Sequence, residues 1–383
     1  MMMPSTTSPL LVSATTTIEQ PNASIKGEKD DQATAGKTDE CFEALLRSKA
    51  PLNKLFESLH ILFPKPNEWS TVESQDFIST MITDLTASPF PPAEEYIVAF
   101  LNKYIKEVEK ENVNSIESDA LTELLHNCIR VTKSEAIHDP LFTTYQSFNH
   151  SILNGTIGFR IAPKHNDVGL RLWEAGYYLT EFFLANKHFV KGMKCVEIGA
   201  GVGLASVVVQ GLCGATNTHM TDYTDDVISN MKYNIEKNER WLTEKTDGDL
   251  TCGYLDWHDV EKETDISSSS FDSIRRLANA DVLFAADVAY NPVFLPQLLA
   301  TVEKFLKPNK DEENCIKEKY AYFAMTMRNE KTFELLIELL KKKGIQYKTI
   351  NRGGADLVEE NHIFPCYHVQ KREEVMIHQF FVL

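Results

Sequence analysis

The sequence predicts an α/β protein, a largely parallel sheet with helices on both faces, preceded by a small all-helical region. Three observations carry that expectation. The first is Cys195-Val-Glu-Ile-Gly-Ala-Gly-Val-Gly-Leu204, a short apolar run that turns through glycines and continues as a helix-compatible run to Leu212. Strand, glycine turn, helix is the device by which an α/β sheet offers free backbone N–H groups to a ligand. The second is the alternation that follows, with β-type runs at 194–198, 216–221, 250–255, 281–287, 320–327, 345–351 and 376–383 and helical patterns in most of the gaps. Strands separated by helices return to the same edge direction and build a parallel sheet. The third is the helical spacing of apolar residues that prevails between residues 41 and 140.

Composition narrows the class. At 383 residues the chain can hold two or three domains, and 43% hydrophobic with 25% charged residues is ordinary for a globular protein. A net charge of −16 argues against affinity for nucleic acid or anionic membrane, whose phosphates it repels. Seven scattered cysteines without a C-x-x-C pair argue against a disulfide framework or a zinc site, so no metal is expected and a reducing compartment is. There is no apolar run of about 18 residues to span a membrane and no signal-like apolar segment near the start. A cytoplasmic protein is expected.

In chain order, residues 1–38 are rich in Ser, Thr, Ala, Gly and Lys and read as a disordered tail. Residues 39–140 read as a helical accessory domain. Phe42, Leu45 and Leu46, then Leu52, Leu55, Phe56, Leu59 and Leu62, recur at helical spacing, interrupted by Pro51 and stopped by Pro64. Ser70 and Glu73 have the spacing of a capping box before a helix through Phe77, Met81, Ile82 and Leu85. Further helices are expected around 96–111 and 115–131. His126 and Cys128 have no metal-ligand spacing and read as core or surface residues.

Residues 141–383 form the second predicted domain. Asn154-Gly155 inside a β-type stretch predicts a two-residue hairpin turn. A helix is expected over 169–184, with Trp173 near its start as core or as a cover for a ligand. Asn309–Lys319 and Ser267–Ser270 read as loops. In the glycine turn, Gly199, Ala200 and Gly201 would pass under a ligand, with Glu197 set against it. The glycines run G-x-G-x-G and not G-x-G-x-x-G, since Leu204 holds the last position, which disfavours a dinucleotide without excluding it. Asp222 closes the second strand at the distance where a carboxylate meets ribose hydroxyls, a need common to dinucleotides and S-adenosylmethionine. Leu255-Asp-Trp257 ends the third strand, where an acid can accept from an adenine amino group and an aromatic flank the ring, though Trp257 serves equally well as core. Leu283-Phe-Ala-Ala-Asp-Val-Ala-Tyr290 brings Asp287 and Tyr290 to the carboxyl end of the fourth strand, where substrate meets cofactor in an open α/β sheet. A carboxylate there can orient a lysine amine, and an aromatic ring can hold its alkyl stem.

Taken together, Trp173, the Glu197–Gly203 turn, Leu255-Asp-Trp257 and the Asp287-x-x-Tyr290 tetrad resemble the seven-stranded lysine methyltransferases of family 16. The resemblance covers residues 145–383 well and 41–140 weakly. It extends to Tyr322-Phe-Ala-Met-Thr-Met-Arg-Asn329 and Gly344-Ile345, which are similar to the members that modify elongation factor 2. It implies a Rossmann-like seven-stranded class I methyltransferase sheet, S-adenosyl-L-methionine as cofactor, and a protein substrate, elongation factor 2. It implies that Gly199, Ala200 and Gly201 pass under the methionine part and that Trp173 packs against it. Asp222 would bind the ribose, Trp257 sit beside the adenine and Ala286 line the cofactor, while Asp287 and Tyr290 face the lysine. A single chain is the expected working unit. His258 and His362 are expected to be structural, with solvent taking the lysine proton. Tyr223-Thr224, the 309–319 insertion and the long tail have no counterpart in that pattern. A different protein target within the family is one alternative; a nicotinamide oxidoreductase and a non-catalytic scaffold are the alternatives from other classes.

Overall fold

The computed structural model describes residues 39–110, 116–132, 144–162, 167–262, 268–307, 318–352, 363–365 and 374–382. The expected tail at 1–38, most of the 309–319 insertion and His362 lie outside them.

The helical region consists of α1 (39–47), α2 (Leu52–Leu62), α3 (Val72–Thr86), α4 (Glu94–Lys110) and α5 (Asp119–Thr132). Their apolar stripes close on a core of their own, in which Phe42, Leu55, Ile78 and Phe100 are fully buried. The Tyr104 hydroxyl in that core donates to the Trp69 carbonyl at 2.8 Å, as a buried phenol requires. The expected Ser70/Glu73 capping box is displaced by one residue. Thr71 is the N-cap of α3 and accepts from the Ser74 N–H at 3.4 Å, while the Ser70 hydroxyl donates to the Asn67 carbonyl. A three-residue helical turn at Glu68–Ser70 has already taken Ser70, so the next hydroxyl caps.

The hairpin is β1 (Thr144–His150) against β2 (Gly155–Ile161). His150 pairs with Gly155, so the connection is the four residues Ser151–Asn154 and not the two-residue turn expected. Asn154 and Gly155 still carry the positive φ values, 48° and 134°, that their pairing signalled. The helical region docks on this hairpin. Gln146 donates to the Ser48 carbonyl at 2.8 Å, and the Phe90 ring lies where a Cβ on Gly158 would come within 2.2 Å of it.

Seven strands follow: β3 (Lys194–Ile198), β4 (Asn217–Asp222), β5 (Asp249–Tyr254), β6 (Val282–Ala286), β7 (Tyr320–Thr326), β8 (Gln346–Arg352) and β9 (Val375–Phe381). They form one sheet in the order β5-β4-β3-β6-β7-β9-β8, with β9 antiparallel to both its neighbours and the other pairs parallel. Successive residues of a strand face opposite sides. Leu283 and Ala285 therefore pack on α12 (Leu295–Leu306), and Val282 and Phe284 on α6 (Glu174–Ala185). The chain order reverses between β3 and β6. That switch point opens a crevice outside the carboxyl ends of the strands.

Two boundaries differ from expectation, the first of them at the crevice. The helix expected over 169–184 starts only at Glu174, with Trp173 as N-cap, so Gly169–Leu172 is free to line the opening. Ser268–Ser270 is the first turn of α11 (Ser268–Ala278) and not a loop, and the Ser270 hydroxyl donates to Asp259 at 2.6 Å. Among the described residues, no helix is long and apolar enough to cross a membrane.

Candidate active site

β3 ends at Ile198 and the chain turns through Gly199, Gly201 and Gly203 with φ of 61°, 56° and 88°. The first two are required. A Cβ on Gly199 would stand 2.7 Å from Val288 Cγ1 at the end of β6, and one on Gly201 would stand 3.0 Å from the Gly169 carbonyl oxygen. The positive φ adds strain for any other residue. The Gly201 N–H donates to Asp222 Oδ2 at 3.1 Å and the Tyr223 N–H to Oδ1 at 2.8 Å. Asp222 is thus fixed to the turn. Its burial raises the carboxyl pKa against those two hydrogen bonds.

Glu197 differs from a simple ligand carboxylate. One of its oxygens accepts from both the N–H and the hydroxyl of Ser206, in the first turn of α7 (Leu204–Leu212), tying β3 to that helix. It is 3% exposed, and burial pushes its carboxyl up to about 8, only partly offset by the Ser206 bonds. Between its ordinary value near 4.5 and about 8, the unfolded chain has released this proton while the folded chain keeps it. Stability attributable to Glu197 therefore falls as pH rises through that window and levels off above it. Glu197→Gln keeps an acceptor for Ser206 and removes the titration. Its melting temperature relative to wild type should climb between pH 5 and pH 8 (roughly the window those values define), as scanning calorimetry at several pH values would show. A constant difference would contradict this.

At the end of β6, Asp287 has φ of 53°, uncommon for a residue with a Cβ. Its N–H donates to the Ala324 carbonyl at 2.9 Å. Its carboxylate accepts from the Thr326 N–H at 2.8 Å, the Thr326 hydroxyl at 3.0 Å and Arg328 Nη2 at 3.0 Å. The strain is held by neighbours, as at functional sites generally. Burial raises the Asp287 pKa, the Thr326 N–H and Arg328 oppose, Glu174 adds to the rise, and the balance is upward. Arg328 also stands 3.6 Å from Glu174 and 5.3 Å from the centre of the Trp173 ring. The Trp173 indole N–H donates to the Val168 carbonyl at 3.0 Å, which fixes the ring at the crevice edge. Tyr290 is 61% exposed at the mouth, and its phenol is held above the usual range by burial and by nearby Tyr223 and Asp222.

All ten expected residues, Trp173, Glu197, Gly199, Ala200, Gly201, Asp222, Trp257, Ala286, Asp287 and Tyr290, line one cleft of about 800 Å³. Asp256 does not join them. It caps the short helix α10 (Trp257–Val260), accepting from the His258 N–H at 2.9 Å, and lies within reach of the His258 ring at 3.0 Å. Thr326 and Arg328, which lock Asp287, had no assigned role in the sequence reading. Their signal was their place at the carboxyl end of β7, next to β6. Among the described residues no cluster of His, Cys, Asp and Glu could hold a metal. The glycine turn that a Cβ would fill, the anchored acid at the end of β4 and the aromatic wall at Trp257 fit an S-adenosyl nucleoside.

The family model for lysine methyltransferases matches residues 160–342. Over those residues the chain is similar to the lysine methyltransferase family. The chain is similar to the human protein-lysine N-methyltransferase EEF2KMT, 26% identical over 281 residues, which are 72% of this chain and 77% of the relative. It is 31% identical over 166 residues to the protein N-terminal and lysine N-methyltransferase efm7 of Emericella nidulans, 42% of this chain and 62% of that one. An uncharacterised protein of Dictyostelium discoideum is 25% identical over 219 residues, and the chain spans 57% of its length.

Proposed function

We propose that the enzyme methylates a lysine of elongation factor 2 in the cytoplasm, with Asp287 and Tyr290 presenting the amine. The observation that carries this reading is the position of Asp287 and Tyr290 at the end of β6, facing the same cleft as the glycine turn. Gly199, Ala200 and Gly201 would hold the methionine part of the cofactor beside Trp173, Asp222 the ribose and Trp257 the adenine, with Glu197 and Ala286 forming the floor. Bound there, S-adenosylmethionine supplies a methyl group on a sulfonium sulfur. The residues orient and exclude. Asp287 accepts a hydrogen bond from the lysine nitrogen, and the Tyr290 ring flanks the alkyl stem. The amine is an ammonium at neutral pH and must first release a proton, which passes to solvent at the open mouth. Similarity to EEF2KMT over most of the chain supports elongation factor 2 as the substrate. The helical region at 39–140 would serve recognition.

A macromolecular substrate is supported by the rim. Tyr223, Val293, Phe294 and Met327 are 62%, 70%, 40% and 37% exposed around the mouth or just beside it. Val293 and Phe294 stand out on the turn after Asn291-Pro292, whereas Leu295 next to them is fully buried. Apolar side chains gathered at one opening mark a protein contact. Val293→Ser with Phe294→Ser should raise KM for the protein substrate about tenfold and leave kcat and S-adenosylhomocysteine affinity nearly unchanged, the pattern of lost uniform binding. Steady-state kinetics would show it, and an unchanged KM would remove the rim from recognition. The reading itself is tested by incubating a cell extract with the purified enzyme and radiolabelled S-adenosylmethionine. A labelled band at elongation factor 2 supports it. Label on another protein moves the substrate, and label on nucleic acid or small metabolites defeats it.

A further inference from the structure

We propose that Arg328 is a positioning residue for the methyl acceptor, one that offsets the paired negative charge of Asp287 and its neighbour Glu174 so that the site does not hold its lysine as an ammonium. The proposal rests on the reading of Asp287 as the group that receives the lysine.

Three separate elements meet on this guanidinium. Asp287 comes from the end of β6, Glu174 from the start of α6, and Arg328 from the segment after β7. Arg328 Nη2 is 3.0 Å from the Asp287 carboxylate and 3.6 Å from that of Glu174. The carboxylate side chains are 14% and 19% exposed, so water screens them poorly, whereas Arg328 is 49% exposed. The Trp173 ring lies beneath the guanidinium and is approached by Arg171 as well, at 5.8 Å. The other ionisable groups of the cleft are Tyr290, Tyr223, Asp222 and Glu197, with Asp167 and Asp226 also in its wall.

The charge balance follows from these contacts. Without Arg328, the Asp287 carboxylate would face a lysine in the cleft with its charge uncompensated, and Glu174, behind Arg328, would add a second negative charge nearby. Each carboxylate favours the charged form of the lysine, and the charged form has no lone pair with which to bond the methyl carbon. Arg328 leaves one net negative charge, enough to draw the side chain in. An amine hydrogen-bonded to Asp287 stands within about 6 Å of the guanidinium, given ordinary hydrogen-bond lengths. At that range a unit charge in a partly screened site alters a neighbouring pKa by more than about one unit, tenfold in the neutral fraction. The lysine proton then leaves to water, and the freed lone pair remains on the nitrogen that Asp287 orients.

The test compares wild type, Arg328→Gln and Arg328→Lys with elongation factor 2. Dissociation constants are measured with S-adenosylhomocysteine-loaded enzyme, and kcat is measured from about pH 6.5 to about pH 9.5, a range approaching the ordinary lysine pKa. Arg328→Gln should bind the substrate as tightly as wild type or more tightly. Its kcat should be about tenfold lower at neutral pH and should recover toward the alkaline end. Arg328→Lys keeps the charge and should keep the wild-type pH profile. An equal loss of kcat at every pH, weaker substrate binding with unchanged kcat, or a lysine variant that behaves like the glutamine variant would overturn the proposal. Such results would leave lysine methylation standing. Failure of the wild-type enzyme to methylate any lysine would overturn both.

Discussion

Gly201→Val should lower affinity for S-adenosylhomocysteine at least about 100-fold. A β-branched residue at φ of 56° is strained, by roughly 1–2 kcal/mol. Its Cβ would come 3.0 Å from the Gly169 carbonyl oxygen, so the loop at 167–172 must withdraw from the cleft it lines. The bond from the Gly201 N–H to Asp222 is also disturbed, and a hydrogen bond to a charged group contributes about 1.5–3 kcal/mol. Together these effects amount to about 3–5 kcal/mol, which corresponds to about 100-fold or more in affinity. Calorimetric titration measures it, with a melting curve to show that the variant folds. Affinity within about threefold of wild type would mean that the turn does not carry the cofactor.

Asp287→Asn should reduce kcat about 100-fold while leaving S-adenosylhomocysteine affinity within about threefold. Asparagine tolerates positive φ, so the strained backbone at 53° persists. The amide oxygen can still accept from the Thr326 N–H, but Arg328 loses its charged partner. What changes is the charge that orients the amine. Asp287→Ala would lose more, because Thr326 and Arg328 would both be left without their acceptor. Single-turnover kinetics with preloaded enzyme separates the chemical step from binding. A variant with normal kcat and weakened cofactor affinity would reassign Asp287 to the cofactor.

The sheet was legible because its signals are local. Each of the seven β-type runs matches an observed strand to within two residues, and the glycine turn lies where the break in the apolar run placed it. The ten site residues converge because the carboxyl ends of neighbouring parallel strands must share one crevice. What was not legible depends on tertiary contacts. The engagement of Glu197 with Ser206 requires knowing how α7 leaves the turn, and the locking of Asp287 by Thr326 and Arg328 requires the pairing of β6 with β7. Asp256 showed the spacing of an adenine contact and acts as a cap, because the chain folds into α10 directly after it. α6 starts later than its apolar spacing predicts, because Gly169–Leu172 is drawn along the cleft, where Gly169 meets the glycine turn. Tyr223, unplaced in the sequence, lines the cleft near Tyr290.

The most direct test of the central claim is intact and peptide mass spectrometry of elongation factor 2 after incubation with the enzyme and S-adenosylmethionine. The account predicts added methyl groups on one lysine with the wild-type enzyme and loss of that modification with Asp287→Asn, although the variant still binds S-adenosylhomocysteine. An unmodified elongation factor 2 with a cofactor-competent wild-type enzyme, or full modification by the Asp287 variant, would contradict it.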